Sequence, residues 1–116
     1  MAFHPKDGRL FVACASSNGV WVIDPKRGVV TETIYTSLFP RSPEGSTPAS
    51  LAVSPDGGRL YVANADNNCV AVIDLTAPNA SQVLGFIPTG WYPTSVAVTP
   101  DSKRLLIGVE IGRAHV

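Results

Sequence analysis

One string occurs nearly twice in this chain of 116 residues, and that recurrence restricts its possible folds more than any other feature. "PKDGRLFVACASSNGVWVID" ends at Asp24, and "PDGGRLYVANADNNCVAVID" ends at Asp74. Without gaps, Pro5, Gly8, Arg9, Leu10, Val12 and Ala13 fall on Pro55, Gly58, Arg59, Leu60, Val62 and Ala63. Asn18, Val20, Val22, Ile23 and Asp24 likewise fall on Asn68, Val70, Val72, Ile73 and Asp74. A third start, "TPDSKRLLIGV", places Pro100, Asp101, Arg104 and Leu105 on Pro55, Asp56, Arg59 and Leu60. Such a repeat demands one small structural unit used several times, each copy covering its neighbour.

The unit reads as four short strands. In the second copy "SLAVS" alternates, "PDGG" turns, "RLYVAN" is rich in strand formers, and "CVAVIDL" follows a second turn. "TAPNAS" interrupts the chain, and "QVLGFIPT" supplies the fourth run. Branched and aromatic residues suit a pleated, half-buried surface, and Asp-Gly and Asn-Asn supply the positive-φ positions of short hairpins. No window keeps a helical period for three turns. Four antiparallel strands at a spacing of about 45–50 residues make a β-propeller blade. The expected fold is all-β, a propeller fragment of about two and a half blades. Blade one spans residues 2–38, blade two 49–90, and the start of blade three 94–109, together a partial propeller over 2–109. The final "EIGRAHV", residues 110–116, matches the translation of a common short-read sequencing adapter and is expected to be foreign to the natural protein.

Composition removes several function classes. Nine Lys plus Arg balance nine Asp plus Glu, a zero net charge that argues against an electrostatic nucleic-acid binder, which would need a basic face. Hydrophobic residues make up 45%, enough for a packed core, but no run is long enough to span a membrane. Cys14 matches Asn64 and Cys69 matches Gly19, so the thiols do not repeat with the scaffold. They are expected to pack unbridged beside strands.

"LYVAN" followed by "VAVID" resembles the YVTN-type β-propeller repeat. Cys14 stands where that motif has Asn, and Leu106 to Val109 replace its Tyr-Val-Ala-Asn run. "TSLFPRSPEGSTPASLAVSPDG" and "VLGFIPTGWYPTSVAVTPD" resemble the propeller that precedes a phosphoesterase domain of the alkaline-phosphatase superfamily in larger bacterial proteins. The resemblance implies an exported protein, periplasmic or extracellular, with any metal ligands and nucleophile outside this chain.

Antiparallel order sorts the loops. "CASSN", "NADNN" and the blade-to-blade connections "SLFPRSPEGSTP" and "PTGWYP" share one face, while the "PDGG" turns and "TAPNAS" lie on the other. Rigid scaffolds present ligands to such loops, so Arg41, Glu44, Asp66, Asn67, Trp91 and Tyr92 form the expected ligand- or partner-binding face. The competing structural roles are plain: aromatics packed on the next blade, solvated loop charges, and turn-forming Asp and Asn. Asp24 and Asp74 are expected to accept backbone N–H bonds at strand ends, and His4 to close a strand in the slot of Ser54 and Thr99. The sequon "NAS" at Asn79 carries little weight in a bacterial-looking chain.

No Ser–His or Cys–His pair, phosphate loop or Cys/His metal spacing is present before residue 110, so no catalytic residue, metal or cofactor is expected. The expected function is a non-catalytic binding or scaffolding segment whose partners are the remaining blades of its propeller and an unknown ligand or protein. The alternative is the accessory ring of a phosphoesterase. A catalytic ring of the lactonase or quinoprotein kind ranks last, because it needs inward-pointing carboxylates or His from several blades. In isolation, open strand edges favour self-association.

Overall fold

The structure, a computed structural model, describes residues 1–14, 19–36, 48–64, 68–77, 80–89 and 93–109, with backbone alone for residues 48 and 49. Among the described residues there are ten strands and no helix. The first sheet holds β1 (Ala2–Phe3), β2 (Leu10–Cys14), β3 (Gly19–Asp24) and β4 (Val29–Tyr35). The second holds β5 (Pro48–Val53), β6 (Arg59–Asn64), β7 (Cys69–Asp74) and β8 (Gln82–Pro88). β9 (Pro93–Val98) and β10 (Leu105–Val109) form the third. Within each sheet, chain neighbours pair antiparallel in order, the pattern expected of propeller blades.

The repeat extends to register. Leu10 faces Ile23 in the first sheet as Leu60 faces Ile73 in the second. A register shift recurs between Val22 and Ile23 and between Val72 and Ile73, which places one extra residue, Thr31 or Leu84, in the outermost strand. Pro48 and Pro93 each open an innermost strand, a position where the missing N–H removes least from the ladder.

The turn between the first two strands is built three times. The backbone N–H groups of His4, Ser54 and Thr99 donate to the carbonyls of Arg9, Arg59 and Arg104 at 2.7, 2.9 and 3.0 Å. Each turn needs one residue in the left-handed region: Gly8 (φ 77°), Gly57 (φ 79°) and Ser102 (φ 62°). Gly supplies that conformation without a Cβ penalty, whereas Ser102 adopts it against its own side chain.

The core lies between sheets. Alternation puts Phe11, Val20, Val22 and Ile34 on one face of the first sheet. They meet Leu60, Val62, Ala71, Ile73 and Leu75 of the second, flanked by Leu51, Val53 and Phe86. Most are fully buried, and burying each Val, Leu, Ile or Phe stabilises by roughly 1.5–3 kcal/mol. The opposite face of the second sheet, with Ala63 and Val70 buried, packs through β5 and β6 on β9, which contributes Val96.

Candidate functional site

Arg41, Glu44, Asp66, Asn67, Trp91 and Tyr92 all lie outside the described residues, as does Asn79. What the structure does describe is the rim from which their segments depart. Strand pairing puts Cys14 beside Gly19, Gly19 beside Tyr35, Pro48 beside Asn64, and Cys69 beside both Asn64 and Pro88. These residues share one end of the sheets, so the segments carrying the six candidates leave and rejoin the scaffold at that end.

A polar knot fixes this rim. Asn64 is fully buried; its Nδ2 donates to the Thr36 carbonyl at 2.7 Å, and the Thr36 hydroxyl donates to Asn64 Oδ1 at 3.4 Å. The final residue of the "RLYVAN" strand thereby clamps the chain leaving the first sheet to the second. A buried amide is costly unless bonded, so this pairing also fixes the geometry. Asn68 holds φ at 51°, as the Asn-Asn turn requires, and its carbonyl accepts the Thr89 N–H at 2.9 Å. Cys69 is buried, and that burial raises its thiol pKa against a smaller opposing effect of the Asn64 amide. No disulfide joins Cys69 to Cys14.

Among the described residues, two open clefts lie at the opposite end. One, of about 340 Å³, is lined by Asp56, Arg59, Tyr61, Asp74, Leu84 and Ser102 among others. The other, of about 420 Å³, is its counterpart on the first sheet, with Asp7, Arg9, Asp24, Lys26, Arg27 and Thr31. Their carboxylates are engaged in building turns. Asp56 Oδ1 accepts the Ser54 hydroxyl at 2.6 Å and the Gly58 N–H at 2.9 Å. Asp74 Oδ1 accepts the Thr76 N–H at 2.9 Å and its hydroxyl at 2.7 Å. Asp24 takes the Lys26 N–H and the Arg27 guanidinium, and Asp7 takes the Arg9 N–H and guanidinium. In the third repeat Asp101 takes the Thr99 hydroxyl and the Lys103 N–H.

These bonds favour the charged form. The Ser54 hydroxyl lowers the pKa of Asp56, the Thr99 hydroxyl that of Asp101, the Arg27 side chain that of Asp24, and the Thr76 N–H that of Asp74. For Asp7 burial pushes upward, but the combined bonds and charge of Arg9 outweigh it. A carboxylate held ionised and saturated with donors is a weak general base at neutral pH. Glu32, the remaining described carboxylate, accepts the Ser81 N–H at 2.8 Å and its hydroxyl at 3.0 Å, tying the first sheet to the second.

His4 is equally committed. It is 8% exposed, and its Nε2 donates to the Gly57 carbonyl at 2.8 Å across the boundary between sheets. Nδ1 accepts the backbone N–H groups of Lys6 and Asp7, each at 3.2 Å. Nδ1 also lies 3.3 Å from Asp7 Oδ1, and together these contacts fix the orientation of the ring. His4 therefore closes its strand as the sequence predicts, and adds an inter-sheet bond that sequence reasoning missed. Among the described residues no group of three or more His, Cys, Asp or Glu converges on a possible metal position.

The family model for "Lactonase, 7-bladed beta-propeller" matches residues 1–112. A search of curated proteins found no match. Among solved structures, hydrazine synthase of Kuenenia stuttgartiensis is 28% identical with a TM-score of 0.79, over 94% of this chain and 28% of that chain. A protein of unknown function from Desulfotomaculum acetoxidans is 23% identical with a TM-score of 0.78, over 94% and 34%. A candidate 6-phosphogluconolactonase from Bacteroides uniformis is 23% identical with a TM-score of 0.80, over 93% and 32%. The chain spans about a third or less of each of these.

Proposed function

Because the chain belongs to the lactonase seven-bladed β-propeller family, we propose that it forms a run of blades in a larger ring and serves as a non-catalytic binding or scaffolding wall. One observation carries this reading. Every carboxylate among the described residues, and the imidazole of His4, is already spent on a turn or an inter-sheet bond. What remains for recognition is the loop-bearing rim around the Asn64 knot, where Arg41, Glu44, Asp66, Asn67, Trp91 and Tyr92 would meet a ligand or protein. The remaining blades are its first partners, and the resemblance noted in the sequence favours an exported protein. A ring ahead of a phosphoesterase domain asks the same of these residues and rests on the two connecting stretches.

A second reading, a complete ring that hydrolyses a sugar lactone, is favoured by the family match and the candidate lactonase neighbour. It would need acid–base groups other than the carboxylates described above. The test is direct: the purified chain is incubated with δ-gluconolactone and with p-nitrophenyl phosphate. The wall reading expects no turnover above buffer. Turnover abolished by Asp56→Asn or Asp74→Asn would overturn it. A sugar and peptide panel followed by tryptophan fluorescence should give shifts that Trp91→Phe removes and Trp21→Phe leaves.

A further inference from the structure

We propose that the cleft on the first sheet, at the end opposite the loop-bearing rim, binds phosphate through Arg9, Lys26 and Arg27, as the free ion or as a small phosphomonoester. The cleft holds about 420 Å³, a volume typical of small-ligand sites. It sits beside the turns that join β1 to β2 and β3 to β4. The Arg9 guanidinium lies over the Phe11 ring, 5.6 Å from its centroid, on the face that packs against the second sheet. The cleft is thus on the side of the seam that the chain itself forms between its first two sheets.

Its carboxylates are occupied, but its cations are not. Asp7 accepts from the Arg9 N–H and Nε, and Asp24 from the Lys26 N–H and the Arg27 Nε, so all four oxygens are taken. Each guanidinium commits only its Nε to a carboxylate. Arg9 Nη1 is buried without an acceptor among the described residues, a costly state for a donor. Among the same residues the Lys26 ammonium meets no carboxylate within ion-pair distance. A phosphate oxygen beside these groups is the acceptor they lack, and the N–H pairs of a guanidinium match its geometry. Thr31 already donates its hydroxyl to the Val22 carbonyl, and Pro25 has no N–H, so that wall suits an ester's carbon substituent.

The repeat separates this charge from the needs of the fold. The counterpart cleft on the second sheet sets one cation, Arg59, against Asp56 and Asp74, whereas the first sets three cations against two carboxylates. Thr76 holds the position of Lys26, and each closes its turn by giving a backbone N–H to the preceding aspartate, Asp74 or Asp24. The turn therefore does not require the ammonium of Lys26, nor the guanidinium of Arg27, where the second copy has Ala77. The first copy carries cations that its turn can do without, gathered around one cleft.

Amide NMR spectra of the chain, titrated at constant ionic strength and about pH 8, where phosphate is a dianion, test this. One titration uses inorganic phosphate and a second uses phenyl phosphate. Saturable shifts should appear at Gly8, Arg9, Lys26 and Arg27, and not at Gly58, Arg59 or Thr76. Tighter binding of phenyl phosphate assigns the site to a phosphomonoester; equal or tighter binding of inorganic phosphate assigns it to the free ion. Lys26→Glu, an exposed change that breaks no side-chain bond, should weaken binding at least about tenfold. Arg9→Lys keeps the charge but removes the fork, and should weaken it by about tenfold as well. Arg59→Ala should leave it unchanged. Shifts that never saturate, equal shifts at both clefts, or full affinity in either first-cleft variant would each overturn the proposal. Should Arg9→Lys unfold, Lys26→Glu still decides.

Discussion

At the scale of single residues, small departures from the repeat carry the information. Gly8 and Gly57 share a left-handed backbone, yet a Cβ on Gly8 would meet nothing within 4 Å while one on Gly57 would lie 2.6 Å from His4 Cε1. Both Gly→Ala changes carry a strain of about 1–2 kcal/mol. Gly57→Ala should cost more, because it also displaces His4 from its bond to the Gly57 carbonyl. Urea denaturation of the two variants reads the difference, and His4→Ala should close most of it. Asn64→Ala removes the donor to the Thr36 carbonyl inside a buried site and should destabilise by about 1–3 kcal/mol, by the same assay. The sequence marks Asn64 as a polar residue closing an apolar strand, which is signal enough to suspect a knot. For His4 it shows a strand-closing slot only. The Gly57 carbonyl that receives its Nε2 lies 53 residues away, and no local pattern encodes that meeting.

At the scale of elements, strands and turns were legible because period-two alternation and turn residues are local signals. "RLYVAN" coincides with β6 from Arg59 to Asn64. The shared register shifts opposite Thr31 and Leu84 were not legible, since an extra residue in an outer strand leaves no mark until its partner strand is known. Loop position alone marks the six candidate site residues, and they lie outside the described residues. The turns make one prediction. Asp24, Asp56, Asp74 and Asp101 have pKa values below the ordinary carboxylate range through their turn donors. A lowered folded-state pKa contributes stability that is complete above the unfolded-state value and lost as pH falls through the folded-state value. The urea midpoint should therefore hold steady from neutrality to about pH 4 and decline below it. A midpoint that keeps its value well into that acid range would show that these bonds add nothing to stability. Asp101→Asn should shrink the decline without moving its onset.

At the scale of the whole molecule, cohesion comes from contact between sheets. Phe11 is fully buried among Val20, Val22, Leu60 and Ile73, so Phe11→Ala should cost about 3–5 kcal/mol. Because the core belongs to both sheets, circular dichroism and the Trp21 fluorescence of a Trp91→Phe chain should lose signal in one coincident transition. Two separated transitions would mean that each sheet holds itself together. Blade identity was legible from the repeat alone; the order of stacking rests on which alternate face each strand buries, and that needs three dimensions. The second sheet meets the first through Leu60, Val62 and Ile73 and the third through Ala63 and Val70, so a single sheet carries both a plug and a socket. A unit with matching faces on both sides is one that tandem copying of its DNA can repeat without first redesigning either seam.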